Sequence, residues 1–310
     1  MPEKADNRTV LIAGPTASGK SAAALALAER IGAEIVNADA LQVYRDLKIL
    51  SARPTPQEEA RIAHHLFGHI DGAIRYSAGE WLRDAAQAIG EIHARGRQAV
   101  IVGGTGLYFR ALEKGLSQAP PIPPEIRIEA EARFARLGAA AFRDEVLAFD
   151  PPMARLQPGD RQRHIRAWEV FHAAGAPLSE IQKSAGAPMV GNINARVVIE
   201  PPRNALYAAI DARFDTMIER GAVNEAAALL GRGLDPGLPV MKALGAAELI
   251  AHLRGETPLD AAIDLAKRNT RRFAKRQLTW FRHQTPAWPR AASWDEAVEI
   301  AFVASEALRR

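Results

Sequence analysis

A five-residue apolar run, Thr9-Val10-Leu11-Ile12-Ala13, feeds straight into Gly14-Pro15-Thr16-Ala17-Ser18-Gly19-Lys20-Ser21, and an alanine-rich stretch, 21–30, follows. No other feature of the chain restricts its fold as much. The apolar run reads as a buried strand and the alanine-rich stretch as a helix. Between them stand a glycine, four residues, then Gly-Lys-Ser, the spacing of a phosphate-binding loop. The glycines let backbone N–H groups face an anion, and the helix N-terminus adds the positive end of its dipole. Lys20 is expected on phosphate oxygens and Ser21 on a Mg²⁺ ion. The motif alone suggests ATP, but it does not say which phosphorylated ligand is bound.

The residues beyond the loop continue the alternation of strand and helix. Ala33-Glu34-Ile35-Val36-Asn37 reads as a second strand, followed closely by Asp39. The stretch 79–94 places Trp81, Leu82, Ala85, Ala88, Ile89 and Ile92 at helical spacing. Gln98-Ala99-Val100-Ile101-Val102 is another buried strand, and Gly103-Gly104-Thr105-Gly106 follows it. Such alternation implies a parallel sheet with right-handed crossovers. Ligands of these sheets sit beyond the carboxyl ends of the strands. The 14–21 loop, Asp39 and 103–105 are therefore expected on one sheet edge.

Ala119-Pro120-Pro121-Ile122-Pro123-Pro124 is a stiff, proline-rich break and reads as a domain boundary. From 125 to about 184 the pattern is helical. Ala195-Arg196-Val197-Val198-Ile199-Glu200 returns to strand character. The rest is mostly helix: 203–232 with a break near Gly221, then 246–253 and 258–280. The fold class is α/β, a P-loop NTPase-like core with a parallel sheet plus a mainly helical insertion domain. The core is read as 1–121 with 195–310, and the insertion as 122–194.

Composition narrows the setting. The chain has no cysteine, which excludes disulfides and thiolate zinc sites. No apolar run approaches a membrane span. Met1-Pro2-Glu3-Lys4-Ala5-Asp6 lacks the basic and apolar regions of a signal peptide, so a cytoplasmic location is expected. A net charge of +4 permits a nucleic-acid partner without demanding one.

Several side chains suit chemistry at that sheet edge. Asp39 serves either as a general base or Mg²⁺ orienter beside the phosphates, or as the N-cap of a helix. Thr105 either caps the helix that carries Tyr108 and Phe109 or meets a ligand beside the two glycines. Tyr108 and Phe109 themselves read as core. Arg213 is either a solvated helix charge or a second cation aimed at a pyrophosphate. Asp160-Arg161-Gln162-Arg163-His164-Ile165-Arg166 and Lys267-Arg268-Asn269-Thr270-Arg271-Arg272-Phe273-Ala274-Lys275-Arg276 are basic stretches, which suit a phosphate backbone or a solvated helix face. His64, His65 and His69 cluster without a carboxylate pattern to complete a metal site.

Four motifs then occur in order: the 14–21 loop, Asn37-Ala38-Asp39-Ala40-Leu41-Gln42-Val43-Tyr44-Arg45, Val102-Gly103-Gly104-Thr105-Gly106-Leu107-Tyr108, and Lys275-Arg276-Gln277-Leu278-Thr279-Trp280-Phe281-Arg282. Together they resemble the bacterial tRNA dimethylallyltransferases, over nearly the full chain. The resemblance implies transfer of a dimethylallyl group from dimethylallyl diphosphate to N6 of an adenosine at tRNA position 37, with the adenine drawn out of the anticodon-loop stack. It implies that Asp39 accepts the N6 proton and that Asp39, Ala40, Leu41 and Gln42 recognise the adenine. Thr16, Lys20, Ser21, Arg213 and Mg²⁺ would hold the departing diphosphate, on the loop made of Gly14, Pro15, Thr16, Ala17, Ser18, Gly19, Lys20 and Ser21. Thr105, Arg127, Gln162, Arg163, His164, Ile165 and Arg166 match tRNA contacts of the family, so the insertion would grip the anticodon stem. The resemblance also suggests a monomer.

Two positions depart from the family's pattern. Ala40 stands where Ser is frequent, and Ser51-Ala52-Arg53-Pro54 replaces a common Gly-Thr-Ala-Lys-Pro. The first would remove a polar contact near the base. The second exchanges Lys for Arg, which are not equivalent cations. The competing readings are an adenylate isopentenyltransferase, a P-loop small-molecule kinase, and a non-catalytic RNA-binding protein. A basic helical insertion disfavours the first, and Asp39 with Arg213 disfavours the last.

Overall fold

The computed structural model describes residues 8–117, 121–183 and 186–307. The readings placed on 1–6 and on Ala119-Pro120 lie outside the described residues. The chain divides into two units, one formed up to Glu113 and from Met189 onward, the other Lys114–Pro188.

The first unit is built on six strands: β1 (Thr9–Ala13), β2 (Ala33–Asn37), β3 (His64–His65), β4 (Gln98–Gly103), β5 (Ile193–Ile199) and β6 (Arg290–Ala291). They form one sheet in the order β3-β2-β4-β1-β5-β6, and each neighbouring pair is parallel. Parallel neighbours need helical crossovers. Before the second unit these are α1 (Lys20–Ile31), α2 (Pro56–Arg61), α3 (Ala78–Ala94) and α4 (Gly106–Lys114). The second unit carries α5 (Pro124–Phe149), α6 (Arg161–Ala174) and α7 (Leu178–Ile181). The first unit then resumes with α8 (Arg203–Glu219), α9 (Ala222–Gly231), α10 (Ala246–Leu253), α11 (Leu259–Gln284) and α12 (Trp294–Glu306).

The two-residue period of the strands decides which helix covers which face. Val10 pairs with Val100 and Ala195, and Ile12 with Val102 and Val197. These residues share a core with Ala24, Leu27 and Ala28 of α1 and with Ala297 and Ala301 of α12. The alternate residues, Leu11, Ile101 and Val198, are also fully buried. A sheet covered on both faces reads as continuous apolar runs, which is why β1 and β4 stood out in the sequence.

Where the structure differs from the sequence reading, local signal is weak. β5 begins at Ile193 rather than Ala195, because Thr9 pairs with Ile193 across a register shift. β3 and β6 are too short to carry a period, and α12 follows β6 unannounced. His64 and His65 are an edge strand beside β2, and His65 meets Glu34 at 2.6 Å.

The second unit has its own core of Phe142, Val146, Met153, Ile165 and Trp168. α5 breaks at Gly138, whose φ of 74° and ψ of 170° are non-helical. This unit runs Lys114–Pro188, where the sequence reading has 122–194. Near its two ends the backbones at Gly115 and Gly186 lie so close that a Cβ on Gly115 would fall 2.4 Å from the Gly186 carbonyl oxygen. That closure precedes the proline-rich segment, so the break in composition is not the break in packing. Among the described residues no helix is long and apolar enough to cross a membrane.

Candidate active site

The phosphate loop wraps the start of α1. Gly19, the α1 N-cap, has φ of 86°, and Ala17 has φ of 63°; the left-handed region suits the first and is uncommon for the second. Lys20 is 8% exposed, and its Nζ donates to the Pro15 carbonyl at 3.2 Å. Burial lowers its pKa to about 8, the nearby Asp39 charge opposes that fall, and Arg213 adds to it. The Arg213 guanidinium donates to the Thr16 hydroxyl. Burial also lowers the Arg213 pKa, with Asp39 again opposing. Of the two sequence readings for Arg213, the structure therefore supports a cation at the loop. Ser21 is exposed on the first turn of α1.

A hydrogen-bonded frame fixes the segment after β2. Asn37 Oδ1 accepts the Asp39 N–H at 2.8 Å, and Asn37 Nδ2 donates to the carbonyls of Asp39 and Leu66, each at 3.0 Å. Trp81 Nε1 donates to the Asn37 carbonyl at 2.8 Å. The Asp39 carboxylate accepts the Leu41 N–H through Oδ1 at 3.0 Å. No helix follows Asp39; 40–43 is turn, so the N-cap reading is corrected to an Asx turn. Thr105 accepts the Ala40 N–H on its hydroxyl at 2.9 Å and donates its own N–H to the Ala38 carbonyl at 3.2 Å. Its hydroxyl thus steadies the Asp39 loop rather than capping α4. Gly103 is indispensable here, since a Cβ on it would lie 2.0 Å from the Ala38 oxygen. Tyr108 and Phe109 are core residues, as read; Tyr108 stacks on Trp81 with centroids 4.0 Å apart.

Three of these groups, Thr16, Asp39 and Arg213, line one cavity of the first unit. Thr16, Asp39, Ser51, Arg213 and Thr270 are its polar lining. Leu41, Leu50, Ile210, Phe214 and Met217 supply apolar wall. One guanidinium set among mostly apolar side chains fits an amphiphile with an anionic head and a short hydrocarbon tail. Among the described residues no group of three or more His, Asp or Glu side chains is placed to hold a metal. The Ser21 hydroxyl, beside Lys20 on the first turn of α1, is a hard oxygen donor of the kind Mg²⁺ takes.

The remaining tRNA-contact candidates lie in the second unit, and the late basic stretch lies on α11 of the first. Gln162 and Arg163 are exposed near the start of α6, and Arg163 sits 3.4 Å from Asp160. Arg127 and Arg166 each lie 3.5 Å from Glu169. His164 and Ile165 are buried in that unit's core, at 1% and 5% exposure. Their side chains are not available to a partner, a correction that helical periodicity explains: residues i+1 and i+2 from a solvent-facing Arg163 turn inward. On α11, Lys267 and Arg271 pair with Asp215 and Asp211, while Arg268, Arg272, Lys275 and Arg276 are exposed.

Sequence reasoning missed Gln277. Its Oε1 accepts the Thr16 N–H and its Nε2 donates to the Gly104 carbonyl, both at 2.9 Å. One buried amide thus ties the phosphate loop to the turn after β4. The available signal was a glutamine set among Ala274, Leu278 and Phe281 on the buried face of a helix. Gln42 was read as a base contact, yet its Nε2 donates inward to the Ser51 and Ala52 carbonyls at 2.9 and 3.0 Å.

Comparison with known proteins agrees with this geometry. The family model described as IPP transferase matches residues 42–284, and one described as isopentenyl transferase matches 7–67. The tRNA dimethylallyltransferase of Phenylobacterium zucineum is 55% identical over 289 residues, covering 93% of this chain and 94% of its own length. That of Caulobacter sp. is 50% identical over 92% of this chain and 93% of its own. The crystal structure of the tRNA isopentenylpyrophosphate transferase of Bacillus halodurans superposes with a TM-score of 0.67 at 33% identity, covering 98% of this chain and 99% of that one. The matched residues include Arg213, Gln277 and the whole of β4, and on that evidence the chain belongs to the IPP transferase family.

Proposed function

We propose that the chain moves the dimethylallyl group of dimethylallyl diphosphate to N6 of the adenosine at position 37 of tRNA, beside the anticodon, and releases diphosphate. Family membership makes it a transferase that modifies adenosine in tRNA. The observation that carries the finer reading is the cavity that Asp39, Thr16 and Arg213 line together with Leu41, Leu50, Ile210, Phe214 and Met217.

The chemistry follows from the placement. Backbone N–H groups of the 14–21 loop, the Lys20 ammonium and the Arg213 guanidinium bind the diphosphate. The apolar walls take the allyl group and exclude water. The N6 lone pair of adenine is delocalised into the ring, so attack needs its proton removed as the C–N bond forms. Asp39 takes that proton. The allylic C–O bond breaks, its electron pair goes to the diphosphate oxygen, and Lys20 with Arg213 stabilises the charge that develops there. Ser21 would hold Mg²⁺, which would supply further positive charge for the leaving group. The adenine reaches Asp39 only if it leaves the anticodon-loop stack. Asp39, Ala40 and Leu41 then border the base, and Thr105, Arg127, Gln162, Arg163 and Arg166 contact the tRNA. A tRNA substrate puts the enzyme in the cytoplasm, and we infer that it works as a monomer.

Labelled dimethylallyl diphosphate, Mg²⁺ and either unmodified tRNA or AMP test the reading. Label is expected in tRNA; label in AMP alone makes the protein an adenylate isopentenyltransferase, and label in neither favours a kinase. Asp39→Asn is expected to lower kcat by about 10²–10⁴-fold while tRNA affinity holds. Equal losses in kcat and in tRNA binding would remove Asp39 from the chemistry.

A further inference from the structure

Glu225, on the first turn of α9, turns its carboxylate onto three consecutive backbone N–H groups. Oε1 accepts from Lys48 at 2.6 Å and from Ile49 at 2.8 Å, and Oε2 accepts from Leu50 at 2.8 Å. Three successive amides aimed at one anion form a nest, and each bond to a carboxylate is charge-assisted. The loop they belong to is also held at its far side. Ser51 Oγ donates to the Leu47 carbonyl at 2.6 Å, and Gln42 holds the Ser51 and Ala52 carbonyls. Ala52 sits at φ of 53°, a left-handed conformation that a non-glycine residue keeps only when its surroundings impose it.

This loop is a wall of the cavity, because Leu50 and Ser51 both line it. Leu50 is 9% exposed, and it and Phe214, a second wall residue, both border Gly245. A Cβ on Gly245 would fall 2.8 Å from the Phe214 ring and 2.9 Å from Leu50 Cδ2. The path therefore runs from the Glu225 carboxylate through the Leu50 amide to the apolar wall of the cavity. Glu225 is not among the cavity's lining residues and acts only through the loop.

We propose that Glu225 is a positioning residue for the prenyl donor: its carboxylate sets the 48–50 loop so that Leu50 closes the apolar chamber to a five-carbon chain. This rests on the reading of the cavity as the donor's seat. Glu225→Gln removes the charge and puts an amide donor against amide donors, so the loop loosens. Glu225→Asp keeps the charge on a shorter arm and should recover part of the effect.

Three measurements on the full-length protein test this together: hydrogen exchange of the 48–50 amides, steady-state kinetics with dimethylallyl and with geranyl diphosphate, and tRNA affinity by filter binding. Glu225→Gln is expected to speed exchange at 48–50 and to raise KM for dimethylallyl diphosphate about tenfold with kcat little changed, the pattern of lost ground-state binding. Use of geranyl diphosphate relative to dimethylallyl diphosphate should rise, tRNA affinity should hold, and Glu225→Asp should fall between the two proteins. Unchanged exchange at 48–50 overturns the role of Glu225 and leaves the donor seat standing. Faster exchange with an unchanged KM in both variants overturns the donor-seat reading itself. Parallel losses of donor affinity, tRNA affinity and thermal stability would make Glu225 a general structural residue.

Discussion

Burial pushes Lys20 down to about 8, while the Asp39 carboxylate pulls the other way and Arg213 adds to the fall. In the free enzyme Lys20 is therefore an ammonium below about pH 8 and a neutral amine above it. If diphosphate binds the ammonium, as proposed, kcat/KM for the donor should be level just below about pH 8. Above that it should fall by up to tenfold per pH unit. Bound diphosphate favours the charged form, which moves the same limb to higher pH in kcat. Profiles of both constants at saturating tRNA check this, and a kcat/KM level to about pH 9.5 removes Lys20 as the titrating group. The sequence made Thr16 and Lys20 legible because the fixed spacing of the 14–21 loop names them, while Asp39 stood open between a chemical role and an N-cap until the family resemblance was drawn. Arg213 was undecided, because one helical arginine resembles another until its neighbour, the Thr16 hydroxyl, is known. Gln277 and Glu225 stayed hidden for a related reason. Each acts on backbone groups more than a hundred residues away, and no local pattern records such a partner.

At the scale of elements, the turn after β4 and the loop after β2 are packed backbone to backbone, and the sheet edge depends on that approach. Gly103→Ala would drive a methyl group into the Ala38 carbonyl, 2.0 Å away, and neither side is a flexible side chain. The expected result is a displaced Asp39 loop, with kcat/KM reduced by at least about 100-fold, since small misplacements of catalytic groups have effects of that order. Gly90 is the control: it lies exposed within α3 with nothing within 4 Å of its Cβ position. Gly90→Ala should stabilise the protein by about 0.5–1 kcal/mol, the usual helix-interior gain, with activity unchanged. Thermal melts and steady-state assays on both variants check the pair, and a fully active Gly103→Ala would sink the argument. Legibility follows length and period. α3 was read with its buried face intact because six apolar residues repeat over 17 positions. β6, with two residues, carries no period at all, and its pairing with β5 is set by tertiary structure alone.

At the scale of the whole molecule, the chain interrupts its sheet between α4 and β5 to make a second unit with a separate core around Trp168 and Phe142. Donor chemistry needs only the first unit, so the second is the natural place to separate tRNA binding from catalysis. Arg163 is exposed there, and Arg127 and Arg166 share the single carboxylate of Glu169. Two guanidinium groups on one carboxylate leave a net positive charge at the site, which attracts phosphate. Each arginine that neutralises a phosphate releases condensed counterions when tRNA binds. Removing it should reduce the slope of log affinity against log salt by about 0.7–0.9. Arg163→Ala and Arg166→Ala should each show that reduction, weaken tRNA binding most at low salt, and leave the KM for dimethylallyl diphosphate unchanged. His164→Ala is expected to behave differently. Its side chain is buried in the core, so the loss should appear as a lower melting temperature with the salt slope intact. Salt titrations of binding with the three variants separate the cases. An unchanged slope for both Arg163→Ala and Arg166→Ala would mean that this face of α6 does not meet the phosphate backbone.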